Sequence, residues 1–135
     1  MDKALFKFDR PVNESPLSYA PGTKEREELQ KELKRQSEQQ IEIPLIIGGK
    51  EVKTDDLGDV VMPHDHKHVL AKYHKAGKKE VQMAIDAAMK AKKQWENMPW
   101  VDRASIAMKV AELITTKYRY LVNAATMLGQ SKTPH

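Results

Sequence analysis

The densest run of potential chemistry is Pro63-His64-Asp65-His66-Lys67-His68, with His74 six residues further on. On an extended strand, residues two apart share a face, so His64, His66 and His68 could turn three imidazoles the same way. Three such nitrogens are enough to hold zinc or nickel. The competing reading is a turn between strands, because Pro63 and Asp65 are turn residues and metal sites usually recruit ligands from separate elements. The turn reading is preferred, and metal binding by His64, His66 and His68 stays open at this point.

Two glycine runs could suggest phosphate binding. Gly48-Gly49-Lys50 lacks the G-x-x-x-x-G-K-[ST] spacing and is followed by strand-like residues. Gly129-Gln130-Ser131-Lys132-Thr133 follows a helical pattern, whereas a phosphate cradle precedes one. A hairpin turn and a helix C-cap are the expectations for these two runs. Ser105 lies within an amphipathic pattern and Ser131 in a polar tail, so neither sits in a nucleophile elbow. Met83, Met89, Met98, Met108 and Met127 fall on or beside helical apolar faces and read as core filling. The 135 residues include no cysteine, which removes disulfides, thiolate metal sites and a cysteine nucleophile together. No catalytic, cofactor-binding or metal-binding residue is assigned to this chain.

The elements that must carry these residues follow from periodicity. Prolines 11, 16 and 21 forbid a continuous helix over residues 1–22, which read as an extended arm with Phe6, Phe8, Val12, Leu17 and Tyr19 to place on something. Residues 23–40 predict a helix with Thr23 as N-cap and the charge pairs Lys24–Glu28 and Glu27–Lys31. Its apolar stripe is only Leu29 and Leu33, so a surface position is expected. Residues 41–75 predict two hairpins: Ile43–Ile47 with Lys50–Thr54 across Gly48-Gly49, then Val60–Met62 with Val69–Tyr73. Residues 78–128 predict two or three helices, broken at Met98-Pro99-Trp100. Apolar residues recur at Val81, Ala84, Ile85, Ala88 and Trp95, and again at Ile106, Ala107, Val110, Ala111, Leu113 and Ile114. Gly129 is expected at the last C-cap.

Composition bounds the partners. With 40% hydrophobic and 31% charged residues the chain is ordinary for a globular domain. It has no run of about eighteen apolar residues, so no membrane span is expected. Its opening residues lack the apolar core of a signal peptide, and Asp2 and Asp9 argue against a transit peptide. A cytoplasmic location follows by default. The formal charge of +4 comes with a lysine cluster at Lys72, Lys75, Lys78, Lys79, Lys90, Lys92 and Lys93. Few arginines or aromatics accompany it, so a solvated face is preferred to a nucleic-acid surface. A stand-alone basic interaction or nucleic-acid-binding module is the alternative function.

Several stretches, in order, resemble the N-terminal part of the aldehyde dehydrogenase superfamily. Within it, they resemble most the 1-pyrroline-5-carboxylate dehydrogenase (L-glutamate γ-semialdehyde dehydrogenase) subfamily. The charged helix from Lys24 to Leu33 is similar to that subfamily's extra N-terminal helix, and Ile43–Val52 to its first hairpin. Pro63–Ala71 resembles the Pro-x-x-His segment leading into a second hairpin. Ala84-Ile85-Asp86-Ala87-Ala88 with Trp95, Asp102-Arg103-Ala104 and the closing Gly129-Gln130-Ser131-Lys132-Thr133 complete the likeness, which runs over about residues 23 to 133.

The resemblance implies an α/β fold: the N-terminal portion of an aldehyde dehydrogenase-like fold, incomplete without a following Rossmann-like core. It divides the chain into an arm, 1–22, and an N-terminal part of the NAD-binding domain, 23–135. It implies NAD-dependent oxidation of L-glutamate γ-semialdehyde to L-glutamate in proline catabolism, by a homo-oligomer, a dimer or larger, acting on a small aldehyde. In that family a cysteine nucleophile, an assisting glutamate and the cofactor strands do the chemistry. All would lie beyond His135. The 135-residue chain by itself is expected to be a fragment, inactive and without a cofactor.

Overall fold

The computed structural model describes residues 12–134; Phe6 and Phe8 of the expected arm lie outside the described residues. The elements are α1 (Lys24–Glu38), β1 (Ile41–Ile43), β2 (Leu45–Ile47), β3 (Lys50–Val52), β4 (Leu57–Met62), β5 (Asp65–His74), α2 (Lys78–Asn97), α3 (Trp100–Thr115) and α4 (Arg119–Gln130).

The glycine hairpin forms as expected. Leu45 pairs with Val52 and Ile47 with Lys50, antiparallel. Gly48 and Gly49 both take positive φ, 60° and 78°, the left-handed backbone that a two-residue I′ turn asks for. The second hairpin is longer than expected. Its strands reach Leu57 and His74, with Met62 paired to Asp65, so the run from Asp65 to His68 belongs to β5 and the turn is only Pro63 and His64. Backbone pairing has overridden the turn propensity of Asp65.

β1 was not expected as a separate strand. It pairs in parallel with β5, Ile41 opposite Ala71 and Ile43 opposite Tyr73, giving a three-stranded sheet in the order β1-β5-β4. Pro44 has no N–H for a ladder, and the chain changes sheets there.

The well-covered core is small and sits where the arm and α1 meet α4. Tyr19, Leu29 and Ala124 are buried, with Leu17, Leu33, Tyr120 and Met127 packed around them. The narrow stripe of α1 is therefore a buried contact, because the arm and α4 close over it from both sides. Gln36 Nε2 donates to the Leu121 carbonyl at 2.9 Å and ties the far end of α1 to α4. Arg119 of α4 meets Glu14 of the arm at 2.9 Å.

The helix ends differ in detail from the expectation. The Thr23 hydroxyl donates to the Ala20 carbonyl at 2.8 Å instead of capping α1. Within α1 the ion pairs are Lys31–Glu28, Lys34–Glu38 and Arg35–Glu32, in place of the expected Lys24–Glu28 and Glu27–Lys31. α2 starts with the Gly77 N–H donating to the Glu80 carboxylate at 2.9 Å. α4 runs through Gly129 to Gln130, and the left-handed residue that ends it is Ser131, at φ 53°. No helix among the described residues is long and apolar enough to cross a membrane.

Candidate functional site

The extended β4–β5 hairpin decides what the histidines can do. His64 lies in the turn, and its Nδ1 is 2.8 Å from the Ser131 hydroxyl beyond α4. His68 lies on β5, and its Nε2 is 2.8 Å from the Ser37 carbonyl at the end of α1. His66 is exposed between them. The two outer rings thus tie the hairpin to different helix ends. Among the described residues no group of three or more His, Cys, Asp or Glu side chains is placed to hold a metal ion.

His74, considered above only as a neighbour of that run, closes the other end of β5 and is buried. Its Nδ1 is 2.8 Å from the Thr54 amide nitrogen, and its Nε2 is 2.8 Å from the Glu42 carboxylate. Nδ1 is also 2.7 Å from the Thr54 carbonyl oxygen, so it accepts from the Thr54 N–H in the tautomer whose Nε2–H donates to Glu42, and donates to that carbonyl in the other. Lys53 approaches the same carboxylate at 2.5 Å. One imidazole therefore joins β5, β1 and the segment after β3, linking the two sheets. The period-2 run ending at His74 was the available signal; its partner Glu42, in an unpredicted strand, gave none.

The hydrogen bond from Lys53, and after it that from His74, holds the Glu42 carboxyl below the usual carboxylate range. A carboxyl depressed in the folded state stabilises fully above its unfolded value of 4.5, and that contribution disappears as pH falls through the folded value. Acid melts should show Glu42→Gln losing less stability than the unsubstituted chain on acidification. Parallel acid profiles for the two would refute this assignment. Glu42 is half-exposed, so the difference is small beside the effects of core substitutions.

The lysine cluster is partly spent on pairing within the hairpin: Lys72 meets Asp59 at 3.1 Å and Lys75 meets Asp56 at 3.0 Å. That leaves less uncompensated charge for a nucleic-acid surface than the sequence count suggests.

Two apolar surfaces remain. One is a groove of about 280 Å³ between α1, α4 and the three-stranded sheet, lined by Ile41, Ile43, Leu70, Leu121 and Leu128 with Arg35 at its side. The other comprises the faces of α2 and α3, neither of which buries a single residue. The double-glycine turn joins β2 to β3 without a helix N-terminus behind it. The described residues do not fit a dinucleotide, and no chemical step is assigned to them.

A charged helix, a glycine hairpin, a second hairpin and three successive helices are the opening portion of an aldehyde dehydrogenase fold. The chain belongs to the aldehyde dehydrogenase family, whose sequence profile matches residues 50–133. Within that family it is similar to the probable delta-1-pyrroline-5-carboxylate dehydrogenase of Schizosaccharomyces pombe, at 48% identity over 130 residues, 96% of this chain and 24% of that protein. The mitochondrial delta-1-pyrroline-5-carboxylate dehydrogenase of Dictyostelium discoideum is 40% identical over 123 residues, 91% of this chain and 22% of its own length. The crystal structure of the Mycobacterium tuberculosis delta-pyrroline-5-carboxylate dehydrogenase bound with NAD superposes with a TM-score of 0.94 at 36% identity, covering 98% of this chain and 25% of that one. The chain spans about a quarter of the length of the relatives it matches.

Proposed function

We propose that this segment is the N-terminal part of an NAD-dependent 1-pyrroline-5-carboxylate dehydrogenase, which oxidises L-glutamate γ-semialdehyde to L-glutamate in proline catabolism. The observation that carries the reading is the TM-score of 0.94 over 98% of the chain to an enzyme of that name whose structure was solved with NAD. In this reading the chain divides into residues 1–22 and residues 23–135, the latter opening the NAD-binding domain. The segment contributes scaffold. Nucleophile, base and cofactor contacts come from polypeptide that follows it in the family, and the complete protein is a homo-oligomer.

The test is NADH formation from L-glutamate γ-semialdehyde and NAD by the complete protein carrying this segment. Substrate-dependent absorbance at the NADH band is expected, and its absence with a folded protein would remove the reading. The 135-residue chain alone should give no NADH above a blank, since it has no cysteine to attack the aldehyde. We place the protein in the cytoplasm; the Dictyostelium relative is named as mitochondrial, and fractionation of the native source distinguishes the two.

A further inference from the structure

We infer that His74 is a proton-operated joint. On taking up one proton the imidazole keeps the two sheets tied, while its hydrogen bond to Thr54 passes from the amide N–H to the carbonyl of the same residue. Nδ1 makes a double contact, 2.8 Å from the Thr54 amide nitrogen and 2.7 Å from the Thr54 carbonyl oxygen. One residue thus offers the ring a donor and an acceptor at once. Nε2 lies 2.8 Å from the Glu42 carboxylate. Among the described residues, neither His64, on the Ser131 hydroxyl, nor His68, on the Ser37 carbonyl, has such a pair of backbone groups at one nitrogen.

The His74 side chain is 4% exposed, so water does not stand in for a missing partner. A buried imidazole ordinarily stays neutral, because its charged form loses solvation. Here the protein serves both forms. The neutral ring accepts from the Thr54 N–H and donates its Nε2–H to Glu42. The imidazolium carries a proton on each nitrogen and donates to the Thr54 carbonyl and to Glu42, which leaves the Thr54 N–H without its acceptor.

The surrounding charges suit both forms. Lys53, and after it His74, hold the Glu42 carboxyl of β1 below the usual carboxylate range, so it is an anion where histidines titrate. Lys53, after β3, is paired with that carboxylate and also feels Glu51 of β3. Lys75, after β5, is paired with Asp56 at 3.0 Å. Neither ammonium therefore stands unbalanced against an imidazolium. The change stays within one peptide segment because the loop has other ties. The Lys75 N–H donates to the Asp56 carbonyl at 2.9 Å, and the Thr54 hydroxyl donates to the Lys75 carbonyl at 2.9 Å.

The test is amide-resolved hydrogen exchange of the complete protein at about pH 8 and about pH 5, the bounds within which histidines ordinarily titrate. Each rate is divided by the intrinsic rate at that pH, and no activity is needed for the readout. Thr54 protection should fall about tenfold at the acid end, the loss expected from one neutral hydrogen bond, while Lys75 protection holds. In His74→Phe, Thr54 should be equally unprotected at both ends. In Glu42→Gln, which removes the anion that receives the imidazolium, Thr54 should stay protected to lower pH. The parent and Glu42→Gln decide the matter even where His74→Phe does not fold. Equal Thr54 protection at both ends in the parent would overturn the inference. So would joint loss at Thr54 and Lys75, which is opening of the whole loop, or a pH dependence that survives in His74→Phe.

Discussion

Leu29→Ala should destabilise the chain by about 2–5 kcal/mol, the range for truncating a large aliphatic side chain in a packed site. Leu29 is 3% exposed and lies with Tyr19 and Ala124, which is fully buried. Neighbouring Leu17, Leu33, Tyr120 and Met127 cannot easily collapse into the hole, since each belongs to a different turn of the arm, α1 or α4. α1 has no second buried residue to hold it. Losing this anchor releases the arm as well, because Tyr19 is fixed by the same cluster and by the Arg26 guanidinium on its carbonyl at 3.2 Å. A urea titration followed by helical circular dichroism reads the effect. A midpoint within error of the unsubstituted chain would mean that α1 is held by something other than this cluster.

His74→Phe is the second large expected effect, about 1–3 kcal/mol, the cost of stranding a buried hydrogen-bonding group. Phenylalanine keeps a ring in the buried site but offers nothing to the Thr54 N–H or to Glu42. Hydrogen exchange gives the sharper reading: the Thr54 amide should lose protection in His74→Phe and retain most of it in Glu42→Gln. Equal protection in all three proteins would show that the imidazole is a spectator there.

How far the sequence spoke can be followed residue by residue. Gly48-Gly49 announced its hairpin because a two-residue I′ turn needs positive φ twice, a demand few other pairs meet. The long helices were legible because Val81/Ile85 and Ile106/Val110 repeat at helical spacing. The family was legible from the order and separation of short motifs, none specific alone. Long-range pairings were hidden. β1 has three residues, too few for a period, and its partner lies in β5. The burial of Leu29 depends on α4, almost a hundred residues later, so a two-residue stripe looked superficial. Ser131 took the left-handed position expected of Gly129, because α4 continues to Gln130. The histidine run looked like a ligand set or a turn, and most of it became strand, with His64 and His68 reaching to separate helix ends. Spacing cannot show that two rings four residues apart answer to different neighbours.

The parallel pairing of β1 also orders events in time. Its register sets Ile41 against Ala71, thirty positions along the chain, whereas β4 and β5 meet across a turn of two residues. Closing a short loop costs little entropy and is fast, while the long one must wait for a partner already in place. The β4–β5 hairpin is then the template, and β1 adds to it late, bringing α1 and the end of the arm with it. Substitutions in β1 should therefore quicken unfolding more than they slow folding, and those at the β4–β5 turn should do the reverse.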